Sequence, residues 1–146
     1  MENKQKVLVP ALEREQIARS VCAWLNSYTD KPVTKIEYEY LGDSGITISA
    51  ISTPYKLRQF IDGCYVAQYQ FFVTYRSRPA NNDARLRMDE SLDRLAAWAE
   101  SNIPDFGAAF TVQRVECLNG STLVNRYDDG SEDHQISLSL TYRGVK

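Results

Sequence analysis

The sequence predicts an α+β domain: an antiparallel or mixed β-sheet with two amphipathic helices packed on one of its faces. Three observations predict it. Two segments, 10–28 and 83–102, carry apolar residues at helical spacing. The segments between and after them alternate apolar and polar residues with a period of two. Gly, Asn and Asp cluster where those runs break, as hairpin turns require.

The first helix spans PALEREQIARSVCAWLNSY, with Ile17, Ala18, Val21, Cys22, Leu25 and Tyr28 on one face. Pro10 suits the first turn, where its missing N–H costs nothing. Glu13 and Glu15 sit near the positive end of the helix dipole. Asp30, Lys31 and Pro32 end the pattern. The next two runs, TKIEYEYL (34–41) and GITISAIS (45–52), read as a hairpin closed by LGDSG. Residues 53–63 admit two readings. Thr53 and Pro54 can start a short helix ended by Gly63. Alternatively 56–61 form a strand that turns at Asp62-Gly63, and this reading is preferred.

The stretch YVAQYQFFVTYRSR (65–78) reads as a long strand ending about Ser77. Tyr65, Ala67, Tyr69, Phe71, Val73 and Tyr75 fall on one side. Gln68, Gln70, Thr74, Arg76 and Arg78 fall on the other, with Phe72 as the exception. A loop at 78–82 leads to the second helix, whose stripe is Met88, Leu92, Leu95, Ala96 and Ala99. Pro104 and Gly107 end it. The remainder reads as a three-stranded meander: 109–118, a turn at Asn119-Gly120, 121–127, a turn at Asp128-Asp129-Gly130, and 132–143. Trp24 and Trp98, at the margins of the helical stripes, are expected in the core. One domain over 1–146 is expected, with 1–9 a flexible N-terminus.

Bulk composition narrows the function classes. The chain has 146 residues and a formal net charge of −2, with a pI near 5.4. That balance argues against a general nucleic-acid binder, which carries a basic excess. Cys22, Cys64 and Cys117 are too few and too widely spaced for a disulfide framework or a zinc site. Three reduced, mostly buried thiols in a cytosolic setting are expected. MENKQKVLVP lacks the apolar core of a signal peptide. No segment reaches the roughly 20 apolar residues of a membrane span. The expectation is a soluble chain made in the cytoplasm, with no membrane partner.

A catalytic set is hard to assemble. The single histidine, His134, lies in SEDHQ and reads as a solvated hairpin residue. No GxSxG elbow supplies it with a nucleophile, and nothing in the sequence brings Cys117 beside it. Asp128, Asp129, Glu132 and Asp133 lack calcium-loop spacing and read as solvated turn residues. No phosphate-binding glycine motif occurs. No cofactor, no metal and no enzymatic activity are expected. The tyrosine-rich strands could line a small-ligand cavity, although core packing accounts for them.

The polar strand faces stand out instead. One row is Gln68, Gln70, Thr74 and Arg76; the other is Gln135, Ser137, Ser139, Thr141 and Arg143. A solvated sheet face is the ordinary explanation. Yet both rows are nearly free of Lys and Glu, as interface cores are. Gln68, Gln70, Thr74, Gln135, Ser137, Ser139, Thr141 and Arg143 are therefore the candidate inter-subunit face of a symmetric oligomer.

The stretch FIDGCYVAQYQFFVTYRSR, followed by LDRLAAWAE and a β-meander ending in Thr-Tyr, resembles small proteins of tailed phages and prophages of Gram-positive bacteria. These minor capsid proteins are similar to tail terminators. The matching residues are Phe60, Ile61, Asp62, Gly63, Tyr69, Phe72, Arg76, Trp98 and Tyr142. The resemblance covers roughly 10–143 and is architectural, not chemical. It implies a virion protein, present in the host cytoplasm during assembly, that forms a homo-hexameric ring on the tail tube. Its expected partners are its own copies, the tail tube protein and a head-completion protein, with DNA passing the lumen without specific binding. Arg76, Arg78, Arg85 and Arg87 are the candidate lumen or tube contacts. A head-completion or connector protein of the same virion, or a small-ligand-binding α+β domain, is the alternative.

Overall fold

Two long strands form the spine of the molecule. In the computed structural model, which describes residues 7–51 and 54–144, β5 (Tyr65–Ser77) and β7 (Glu132–Gly144) pair antiparallel along their whole length, from Tyr65↔Gly144 to Ser77↔Glu132. The other edge of β7 carries β6 (Phe110–Arg126). The other edge of β5 is shared. Its first half pairs with β4 (Tyr55–Gln59), which carries β1 (Val7–Leu8); its second half pairs with β3 (Gly45–Ala50), which carries β2 (Ile36–Tyr38). The expected α+β class holds, with a seven-stranded sheet that is antiparallel except at β2–β3.

Period-two alternation sorts the side chains as expected. Tyr65, Ala67, Tyr69, Phe71 and Val73 of β5 are buried, opposite Gly144, Tyr142, Leu140, Leu138 and Ile136 of β7. Ile36, Ile46, Ile48 and Val115 extend this apolar face. Helices α1 (Ala11–Asn26) and α2 (Asn82–Ser101) bury Ile17, Val21, Leu25, Leu92, Leu95 and Ala99 in the same cluster. Trp24 is buried and Trp98 half-buried, their rings stacked 5.5 Å apart. Trp24 Nε1 donates to Asn102 O at 3.0 Å. Asn81 caps α2, its side chain accepting from the Ala84 N–H at 2.9 Å.

Four expectations need correction. Residues 34–52 do not form a hairpin: β2 and β3 run parallel, with Ile36 beside Ile46 and Tyr38 beside Ile48. A two-residue turn would reverse the chain; here Glu39 enters the left-handed region at φ 49 and the following loop carries the chain back. The Thr47 hydroxyl fixes that loop, accepting from Tyr40 N at 3.0 Å and donating to Glu37 O at 3.2 Å. Second, Asn119-Gly120 is no turn. β6 runs through it, with an extra residue between the pairs Asn119↔Ser137 and Thr122↔Gln135. That bulge is held from α2: Asp93 accepts the Ser121 N–H at 2.9 Å, and the Ser121 hydroxyl donates to Asp89 at 2.6 Å. Third, residues 7–8 of the expected flexible N-terminus form a strand on β4, whereas 1–6 lie outside the described residues. Fourth, all three cysteines are free but only half-buried. The preferred strand reading of 56–61 holds through Gln59. The proposed helix cap at Thr53 lies outside the described residues.

Candidate interaction face

The two polar rows meet in register. Gln68 pairs with Thr141, Gln70 with Ser139, Phe72 with Ser137, Thr74 with Gln135, and Val66 with Arg143. All point away from the face that holds both helices. The neighbouring strands contribute Thr47 and Ser49 on β3, and Asn119, Thr122 and the exposed ion pair of Arg114 with Glu116 on β6. The result is a four-strand face built mainly from hydroxyls and amides, with Phe72 near its middle. Its centre is sheltered although neither described helix crosses it. Ser137, Ser139 and Thr141 are buried, Gln68, Gln70 and Gln135 half-buried, and Arg143 exposed. These short side chains sit between longer ones, Ser139 between Gln70 and Glu116. Gln135 Nε2 donates to Thr74 Oγ1 at 2.9 Å. Ser139 Oγ is enclosed and has no hydrogen-bond partner among the described residues.

Near the apolar end of the face, Leu57, Arg58, Val66, Arg114 and Thr141 line a shallow cavity of about 490 Å³. Arg143 stacks on the Phe60 ring, 5.5 Å from its centre.

The opposite end of the β5–β7 ladder is ionic. Arg76 forms a fork with Asp133, Nε to Oδ1 at 2.7 Å and Nη2 to Oδ2 at 3.0 Å. It also donates to Tyr127 OH at 2.9 Å and Gly42 O at 3.1 Å. The hydrogen bond to Asp133 raises the Arg76 pKa further. Burial pushes the Asp133 carboxyl up, but Arg76 and Tyr127 more than offset this and hold it below its usual range. On the helix side of the same corner, Glu132 Oε2 accepts from Arg85 Nε at 2.7 Å and Arg126 Nε at 3.2 Å. Burial raises the Glu132 pKa, yet Arg85, His134 and Arg126 bring it down to about 2.

His134 is not a solvated hairpin residue. It is 2% exposed, with Nδ1 2.6 Å from Asp89 Oδ1 and Nε2 3.0 Å from Glu132 Oε1. Only a ring protonated on both nitrogens donates to both carboxylates. Glu132 and Asp133 are likewise buried, contrary to the expectation of solvated turn residues. The signal was present in the alternation, because Glu132 and His134 share parity with Ile136, Leu138 and Leu140. Cys117 does not approach His134; it pairs across the ladder with Leu138, and its thiol donates to Asn119 O at 3.3 Å.

All four candidate arginines sit at or near this corner, each beside a carboxylate. Arg78 pairs with Asp129 at 2.9 Å and Arg87 with Asp83 at 2.7 Å, both pairs exposed. Arg76 and Arg85 are the more enclosed pair. Among the described residues no cluster of His, Cys, Asp and Glu has the arrangement of a metal site. No helix among them is long and apolar enough to cross a membrane.

Comparison with known proteins finds no family model that matches the chain and no matching curated protein.

Proposed function

We propose that this chain is a structural subunit of a tailed-phage virion, a tail terminator. Six copies form a ring that caps the tail tube and joins it to the head. One observation carries the reading: the four-strand face rich in Ser, Thr, Gln and Asn, crossed by neither described helix, with Phe72 near its middle. Such a face suits a subunit contact, because its centre on β5 and β7 has no flexible charged side chain to immobilise and many short donors and acceptors, with Arg114, Glu116 and Arg143 at its side. The arginine pairing fits the same role. A lumen lined by Arg76, Arg78, Arg85 and Arg87 with their partner carboxylates carries little net charge, so DNA passes without being held.

Light scattering behind a sizing column, across a concentration series, tests the reading. The 16.6 kDa chain is expected to give about 100 kDa as a six-fold ring. A monomer at every concentration that also fails to form rings on purified tail tubes overturns it. A connector of the same virion shares the ring but binds the head-completion side, so binding to the tail tube protein separates the two.

A further inference from the structure

Hairpin tips are normally polar, and this one is not. The β4–β5 hairpin presents Ile61 at 109% exposure, with Leu57 at 46% and Phe60 at 39% beside it. The tip is pre-shaped. Phe60 N donates to Cys64 O at 2.8 Å, Gly63 N to Phe60 O at 3.0 Å, and Cys64 N to Asp62 Oδ1 at 3.0 Å. Gly63 supplies the positive φ of 90 that the turn needs. Ile61 therefore projects as a fixed apolar knob with the Asp62 carboxylate next to it.

The same chain carries a groove of matching chemistry. It runs between the outer side of α1 and the open edge of β2, with a volume of about 700 Å³, within the roughly 300–1,000 Å³ of a ligand-sized pocket. Ala11, Ala18, Cys22 and Ala23 form an apolar floor, and Arg14, Arg19 and Lys35 supply positive charge. Arg19 is engaged by Glu15 at 2.8 Å. Arg14 and Lys35 form no ion pair among the described residues.

We propose that Ile61 at the hairpin tip of one subunit inserts into the α1–β2 groove of a second copy, with Asp62 paired to Arg14 and Lys35. The inference rests on the ring reading and adds to the polar sheet face a second contact between neighbouring subunits. Knob and groove are different surfaces, so the contact is head-to-tail, the kind that closes into a ring. A central apolar anchor flanked by one opposite-charge pair is the composition of an interface hot spot.

The test uses the full chain. Ile61→Asp leaves the fold intact, because the side chain touches little, and is expected to weaken self-association by about 30-fold or more. Ile61→Cys, with Cys64→Ser and Cys117→Ser, is expected to give disulfide-linked multimers on mild oxidation, through Cys22 of the neighbouring copy. Adding Cys22→Ser abolishes them. A six-fold wild-type mass that Ile61→Asp leaves unchanged, with no cross-link, overturns the knob contact and leaves the ring reading standing. A wild-type monomer with neither cross-link nor rings on tail tubes overturns both. An Ile61→Asp ring of normal mass that no longer binds the tail tube protein assigns the knob to that partner and overturns the contact between copies.

Discussion

The two ends of the β5–β7 ladder each bury a glutamate under a helix, and they handle it in opposite ways. At the ionic end, Glu132 is met by Arg85, Arg126 and His134. At the apolar end, Glu13 of α1 is met by two tyrosines, Tyr65 and Tyr142, both donating to its carboxylate, the latter at 2.8 Å. Burial raises the pKa of both. The cations overturn that at Glu132, which falls to about 2. At Glu13 burial wins over the Tyr142 hydrogen bond and the Lys56 charge, and its pKa stays raised. Burial therefore does not fix a carboxylate's charge preference; the charge of its partners does.

The largest way to break this contrast is Glu132→Ala, which strands His134, Arg85 and Arg126. A loss of about 3 kcal/mol is expected, the low end for a broken buried pair because both arginines keep part of their surface in water. Thermal unfolding is expected to show a Tm lower by about 10 °C. A fall under about 3 °C would mean the cluster contributes little.

Next comes Gly144→Ala at the tyrosine end. A Cβ there would overlap the Tyr65 ring, so Tyr65 must leave Glu13. About 2 kcal/mol of destabilisation by denaturant titration is expected. An unchanged midpoint would show that Tyr65 moves aside freely.

Acid titration sharpens the contrast. Glu132, depressed in the fold, stabilises above its ordinary value of 4.5 and loses that contribution as pH falls towards about 2. Glu13, raised in the fold, contributes fully below 4.5 and loses that as pH rises through its folded value. From pH 4.5 to 2 stability is expected to fall in the wild type and less steeply in Glu132→Ala, whereas the contribution of Glu13 builds up as pH falls from neutral to 4.5 and is absent in Glu13→Gln. Identical slopes in all three would refute the assignment. The smallest effect is that of Glu13→Gln at neutral pH, expected within about 1 kcal/mol of wild type, because a neutral amide still accepts a hydrogen bond without carrying a buried charge.

The sequence carried the layers better than the connections. Alternation from Tyr65 to Tyr75 and from Ile136 to Tyr142 assigned the two sheet faces, since the apolar side chains share one parity and pack together in the core. It also exposed the two polar rows, though not that they meet as Gln70↔Ser139 and Thr74↔Gln135, because register depends on the whole ladder. The parallel β2–β3 pair was hidden, as turn residues report where a chain bends but not which edge it joins next. Asn119-Gly120 misled because its bulge is imposed from α2 by Asp89 and Asp93, far away in sequence. His134 misled because its neighbours Glu132 and Asp133 look like surface residues until Arg85, Arg126 and Arg76 arrive from other elements.

The spine also sets a timetable for synthesis. β5 emerges from the ribosome well before β7, since α2 and β6 lie between them in the chain. Until β7 appears, the most aromatic strand of the protein has one long edge with no partner. An unpaired run rich in Tyr and Phe is what self-associates in a nascent chain. Folding yield in the cell thus depends on how quickly translation passes from Ser77 to Gly144, and slow translation or a dearth of chaperones would cost soluble protein before any assembly could begin.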